Sequence, residues 1–222
     1  MEKLPKINII YEDNHIIVVE KPINIPTCED DSHDKDLLNM IKDYIKEKYN
    51  KPGNVYLGLI HRLDRPVGGV MVFAKTSKAA SRLSEQVSLH TLKKTYILVC
   101  EGNINDRGEM IDYLSKDNKT NTSFVTDKNN GKIAKLKYNK LDYKDNMSLV
   151  RVELETGRSH QIRVQFSSRG YPLVGDARYN PNSDNKTNIA LYAKKIEFIH
   201  PTNKKLLSFE LDIPKRYPFN LF

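Results

Sequence analysis

Punctuation constrains this chain more than any other property. Short runs rich in Ile, Val, Leu and Tyr recur along it, and most are closed by Gly, Pro, Asn or Asp before a helix of ordinary length could form. Ile7 to Tyr11 and His15 to Glu20 flank the turn signal Glu12-Asp13-Asn14, and Lys21-Pro22 ends the second run. Val55 to Ile60, Val70 to Ala74, Thr95 to Glu101, Ser148 to Glu155, Ile189 to Phe198 and Leu206 to Leu211 read as further strands. Glu109 to Tyr143 alternates around a hairpin signal at Asp127 to Gly131. Helical spacing is confined to three stretches. Asp36 to Tyr49 sets Leu37, Leu38, Ile41 and Ile45 on one face; Ser77 caps a helix to His90; Ser159 caps a short helix from His160 to Arg169. Many strands, few helices and no βαβ alternation with a Gly-rich phosphate loop predict an α+β fold with a large mixed, mostly antiparallel sheet and flanking helices.

Composition narrows the class. Of 222 residues, 39% are hydrophobic and 29% charged, as in a packed globular chain rather than a disordered one. No run approaches the roughly 20 apolar residues that cross a bilayer, and Met1 to Lys6 lacks an apolar leader. The expectation is a soluble, cytoplasmic, monomeric protein without membrane association, folded as a single domain over residues 1–222. Cys28 and Cys100 lack metal-ligand spacing and read as inert thiols. The net charge of +8 favours a polyanionic partner, because Lys and Arg release counterions condensed on phosphates.

Chemistry is concentrated in three places. Gly58 to Gly69 puts His61, Arg62, Asp64 and Arg65 between two apolar strands. A carboxylate held between guanidinium groups stays charged and is available as a nucleophile. The plain alternative is a surface turn in which Asp64 salt-bridges Arg62 or Arg65. Thr156-Gly157-Arg158-Ser159-His160-Gln161-Ile162-Arg163 runs from a Gly turn into a helix start, whose N–H groups favour anions; its plain alternative is a capped helix with solvated arginines. Lys94-Thr95-Tyr96 brings a Tyr into a strand, where core or rim duty is the ordinary role. Gly170 to Asp176 marks a tight loop of structural use.

The His61-Arg62-Leu63-Asp64 run resembles the HRLD signature of RluA-type pseudouridine synthases. The next residues, Arg65-Pro66-Val67-Gly68-Gly69, then an apolar strand and Ala74-Lys75, are similar to the family's continuation. Lys94-Thr95-Tyr96 with Glu101-Gly102 resembles a second family motif, and Thr156 to Arg163 with Gly170 to Asp176 a third. The opening from Ile10 to Pro22 is also similar, so the likeness runs in order over residues 7 to 212. One departure is Gly68, where the family usually has Ser.

The resemblance implies a pseudouridine synthase fold with a central catalytic cleft, in one catalytic domain without a separate N-terminal RNA-binding module. It implies isomerisation of uridine in structured ribosomal or transfer RNA, with no metal and no cofactor. Asp64 would be the catalytic carboxylate, attacking the ribose or the uracil ring or abstracting a proton on a glycal route. Tyr96 would stack on the target base, and Arg163 would pair with Asp64, with Arg158 as runner-up. Reaching the base requires everting it; Arg62 would fill the gap, and His61, Arg158 and Arg65 complete the expected substrate-binding set. Three rivals accompany this reading. One is a hard-metal site drawn from His61, Asp64, His160 and Asp176. A glycosidase would need a second carboxylate. The last is an RNA-binding or assembly protein that keeps the fold without turnover.

Overall fold

The computed structural model describes residues 7–222; the opening from Met1 to Lys6, expected to carry no apolar leader, lies outside the described residues. Among the described residues the fold is α+β, with eleven mixed, mostly antiparallel strands and three α-helices. No helix among them is long and apolar enough to cross a membrane. The chain forms two compact units. One comprises residues up to Leu92 together with Lys195–Leu211, the other Lys93–Lys194 together with Asp212–Phe222.

In the first unit, β1 (Asn8–Glu12) pairs with β2 (Ile16–Lys21), and β2 with β4 (Gly68–Ala74), all antiparallel. The turn between β1 and β2 is held by Asp13, whose Oδ1 accepts the His15 and Ile16 N–H groups at 2.7 and 2.9 Å. Every residue of β4 is buried, which suits its unbroken apolar run. Strand β3 is only Gly58–Leu59, shorter than the run from Val55 to Ile60 suggests; the residues around it lack ladder partners of their own.

Helix α1 (Leu37–Lys48) starts where expected. Asp36 Oδ1 accepts the Asn39 N–H at 2.9 Å, and Leu37 and Leu38 donate to the Pro26 and Thr27 carbonyls, so the first turn's orphan donors are satisfied. Helix α2 (Ser77–Ser88) is capped by Thr76, not Ser77: the Thr76 hydroxyl accepts from Ala79 N at 3.2 Å. Ala79 and Leu83 on α2 share a core with Ile16, Val18, Val70 and Val72. Truncating Leu83 to Ala would cost about 2–5 kcal/mol through lost transfer energy and the cavity left behind. Beside this core the Glu12 carboxylate takes hydrogen bonds from Lys48, Lys75, Tyr44 and Tyr49. Burial alone would raise its pKa, but those donors outweigh it and hold Glu12 at about 2.

In the second unit, β5 (Lys93–Glu101), β9 (Met147–Leu154), β8 (Lys132–Lys144), β6 (Arg107–Asp117) and β7 (Thr122–Thr126) pair antiparallel in that order. The hairpin between β7 and β8 falls at the turn signal read from Asp127 to Gly131. Helix α3 (Gln161–Ser167) departs from its expected start. Its cap is His160 in the left-handed conformation (φ 52°), with no side-chain cap bond, so Ser159 does not fill that role. The closing strands β10 (Leu191–Ile199) and β11 (Leu206–Glu210) pair antiparallel, from Lys195 onward, in the first unit.

Candidate active site

The loop carrying Asp64 is mounted at both ends within the first unit. On one side, the Thr27 hydroxyl donates to the Leu63 carbonyl at 2.8 Å and accepts the Leu63 N–H at 3.3 Å, tying the loop to the N-terminal end of α1. On the other, Arg65 and Pro66 form a turn closed by Val67 N–H to Asp64 C=O at 3.0 Å. Gly69 then enters the strand with φ 125°, a backbone that L side chains rarely adopt. Gly68, at the position where the family usually has Ser, is buried as the first residue of β4 and brings no hydroxyl.

The loop's side chains go different ways. His61 Nε2 accepts the Val72 N–H at 3.2 Å, so this ring anchors the loop to β4. Arg62 is exposed and Asp64 half-buried. Arg65 turns to an acidic loop, donating to Ser32 Oγ at 2.8 Å and to Asp34, with Asp30 3.8 Å away. The Arg65 guanidinium is thus engaged by residues of the segment before α1.

A residue that sequence reasoning passed over stands behind the loop. Lys21 is fully buried, and its Nζ donates to the Pro22 carbonyl at 3.0 Å and the Arg65 carbonyl at 2.9 Å. Burial pushes its pKa down to about 7; the Asp64 carboxylate favours its charged form and Arg65 opposes it. Lys21 continues the phase of Ile17 and Val19 in β2, but Ile16 and Val18 of the other phase are equally buried, so the unbroken apolar run gave no sign that this lysine points inward.

Tyr96, Arg158 and Arg163 belong to the second unit. Tyr96 is buried in β5 opposite Val152 of β9. Arg158 is half-buried, with Nε donating to the Ile133 carbonyl at 2.8 Å. Arg163, only 5% exposed, meets Asp176 as a two-pronged fork, Nε to Oδ2 at 2.8 Å and Nη2 to Oδ1 at 2.7 Å. Its guanidinium carbon lies 5.0 Å from the centre of the Tyr179 ring, a cation–π distance. Tyr179 Oη accepts the Ser123 N–H at 2.8 Å and lies 2.8 Å from His160 Nδ1, a hydrogen bond whose direction follows the His160 tautomer. Asp176 also receives the Arg178 and Tyr179 N–H groups at 3.1 and 3.2 Å. Gly175, at φ 72°, allows this turn; a Cβ there would lie 2.7 Å from the Asn188 and Thr187 carbonyl oxygens.

Of the rival metal set, His61 Nε2 accepts from Val72, His160 Nδ1 lies beside Tyr179 Oη and Asp176 is forked onto Arg163, and no three His, Cys, Asp or Glu side chains among the described residues are grouped as metal ligands. The sequence marks Asp176 as the end of a tight loop and a candidate metal ligand, and does not single out Tyr179; the structure makes Asp176 the partner of Arg163, 13 residues away, and sets the Tyr179 ring beside the same guanidinium.

Comparison with known proteins gives the family of the chain. The chain is 33% identical over 213 residues to the "Uncharacterized RNA pseudouridine synthase YhcT" of Bacillus subtilis, covering 94% of this chain and 69% of that protein. It is 32% identical over 228 residues to the "Ribosomal large subunit pseudouridine synthase D" of Pseudomonas aeruginosa, covering 96% and 70%. The human RNA Pseudouridylate Synthase Domain Containing 4 structure superposes with a TM-score of 0.79 at 19% identity, over 96% of this chain and 91% of that one, and so supports the fold. The family described as RNA pseudouridylate synthase matches residues 15–168, and the chain belongs to that family of isomerases.

Proposed function

We propose that this protein converts specific uridines of structured ribosomal or transfer RNA to pseudouridine, with Asp64 as the catalytic carboxylate. The observation that carries the reading is the mounting of Asp64. A half-buried carboxylate sits on a loop braced by Thr27 on one side and by the buried Lys21 on the other, next to an exposed arginine. A surface turn has no need of such bracing; a nucleophile or base does, because a small misplacement of a reacting group costs much of its rate.

The reaction breaks the bond between ribose C1′ and uracil N1 and forms one between C1′ and C5. The C5 proton leaves, and N1 ends protonated. Tyr96 stacks on the target base and Arg163 serves the charge of Asp64, roles taken from the family motifs these residues match. The Asp176 fork and the Tyr179 ring give Arg163 one orientation, which suits a group that must present charge without rearranging. Arg62, exposed beside Asp64, fills the gap left when the base is everted.

Tritium release from RNA labelled at uracil C5 tests the assignment. Wild type releases tritium, while Asp64→Ala falls by on the order of 10³-fold or more and keeps its RNA affinity. Equal release by both proteins would show that Asp64 is not the catalytic group. RNA binding without release by wild type would favour the rival reading of a binding or assembly protein.

A further inference from the structure

Lys94 is a partly buried cation that the fold leaves unused. It opens the second family-like motif and shares a face of β5 with Tyr96, two residues on. Its partner across the ladder is Leu154, and Tyr96 faces Val152, so the adjoining positions on β9 are apolar. Glu153 has the opposite phase, and Glu155 is engaged by Lys137 at 3.0 Å. Among the described residues, the Lys94 ammonium has neither a hydrogen bond nor an ion pair. Burial depresses its pKa with no carboxylate to offset the effect.

The loop that brings Gly157 up to this ammonium spends its polar groups on itself. The Thr156 hydroxyl donates to Gln161 Oε1 at 2.8 Å, the same oxygen accepts the Arg158 N–H at 3.0 Å, and Gln161 Nε2 donates to the Lys135 carbonyl at 3.1 Å. The polar groups of the bracket thus satisfy one another. Gly157, within it, is exposed, and a Cβ at that position would stand 3.2 Å from Lys94 Nζ. The missing side chain leaves the ammonium open to an approaching group. Half-burying an unpaired charge is unfavourable, and the ligand that reverses the cost is an anion.

We propose that Lys94 Nζ binds a backbone phosphate of the substrate RNA through the gap at Gly157, beside the nucleotide that Tyr96 receives. The inference rests on the reading of the protein as an RNA-modifying enzyme and adds a phosphate subsite to it. A lysine fits the task as a compact point charge that meets a phosphodiester from several directions.

The test is the salt dependence of binding to a fluorescein-labelled stem-loop RNA with uridines in its loop, using the full chain and variants whose folding is checked by circular dichroism. Lys94→Met weakens binding about tenfold at low salt and reduces the slope of log K against log salt by about 0.7–0.9, the loss of one phosphate contact. Lys94→Arg keeps the slope. Gly157→Ala weakens binding without any change in net charge. An unchanged slope in folded Lys94→Met overturns the proposal; should that variant not fold, unaltered binding by Gly157→Ala does so instead. Tritium release by wild type is measured in parallel. Wild-type release with an unchanged slope removes the Lys94 subsite alone, whereas absence of release removes the enzymatic reading.

Discussion

His61-Arg62-Leu63-Asp64 and His160-Gln161-Ile162-Arg163 are alike as strings: each begins with His, carries one Arg and lies at the edge of a regular element. Folding treats their arginines in opposite ways. Arg62 is left exposed, while Arg163 is buried, forked onto Asp176 and stacked near Tyr179. The contrast teaches that residue type and neighbourhood do not set the duty of a cation. A guanidinium held by a fork keeps one orientation and can present charge; one exposed at the surface can move into a space that opens in a partner. Lys21 lies between these cases, buried like Arg163 but held by two backbone carbonyls with Asp64 as its nearby anion.

The largest effect expected from breaking this contrast is in Arg163→Ala. Removing the fork leaves Asp176 buried with only two N–H partners, and stranding one member of a buried pair costs about 3–5 kcal/mol. For a chain of this size each kcal/mol lowers Tm by about 2–4 °C, so calorimetry should show a fall of about 10 °C. A melting point within a degree of wild type would mean that Arg163 is not structurally saturated.

Lys21→Met should have an intermediate effect, and one with a pH signature. The folded pKa of about 7 lies below the ordinary lysine value of 10.5, so the unfolded chain binds more protons between these limits. Wild-type stability therefore gains a contribution as pH rises from about 7 towards 10.5, and loses it as pH falls back through 7. The gain is on the order of a few kcal/mol. Urea unfolding across this window should show a smaller rise for Lys21→Met; parallel curves would count against a buried, titrating Lys21. The same variant should lower kcat about tenfold with little change in KM, because the Asp64 loop loses an anchor and not a substrate contact.

Arg62→Ala should leave stability within about 0.5 kcal/mol of wild type, as for an exposed side chain away from special features. Its effect is confined to substrate choice. Tritium release from folded RNA falls about tenfold, comparable to the few kcal/mol needed to unstack a base, while release from an unstructured oligonucleotide changes little. Equal loss on both substrates would remove the gap-filling role and make Arg62 an ordinary phosphate contact.

Much of this was legible in the sequence, for local reasons. The period-two runs placed the strands, and Leu37, Ile41 and Ile45 placed α1, because alternation and helical spacing depend only on near neighbours. Caps were less legible. Thr76 displaced Ser77 and His160 displaced Ser159, since adjacent residues of similar chemistry compete and the backbone angle at each decides between them. The family likeness was carried by collinear motifs, and the family match spans residues 15–168, which include His61 to Lys75, Lys94 to Gly102 and Thr156 to Arg163.

By itself, then, the amino-acid order determined the strands, the three helices, the mostly antiparallel class and the family. Tertiary structure alone decided which charges are spent. Arg65 is taken by residues more than thirty positions upstream, Arg163 by Asp176, and Lys21 by the Arg65 carbonyl 44 residues away. Lys94, facing apolar partners across the ladder, is taken by none of the described residues. The reason is physical: a charge is neutralised by whatever the chain's path brings within a few ångströms, and that path is set by the packing of whole elements, not by the residues on either side.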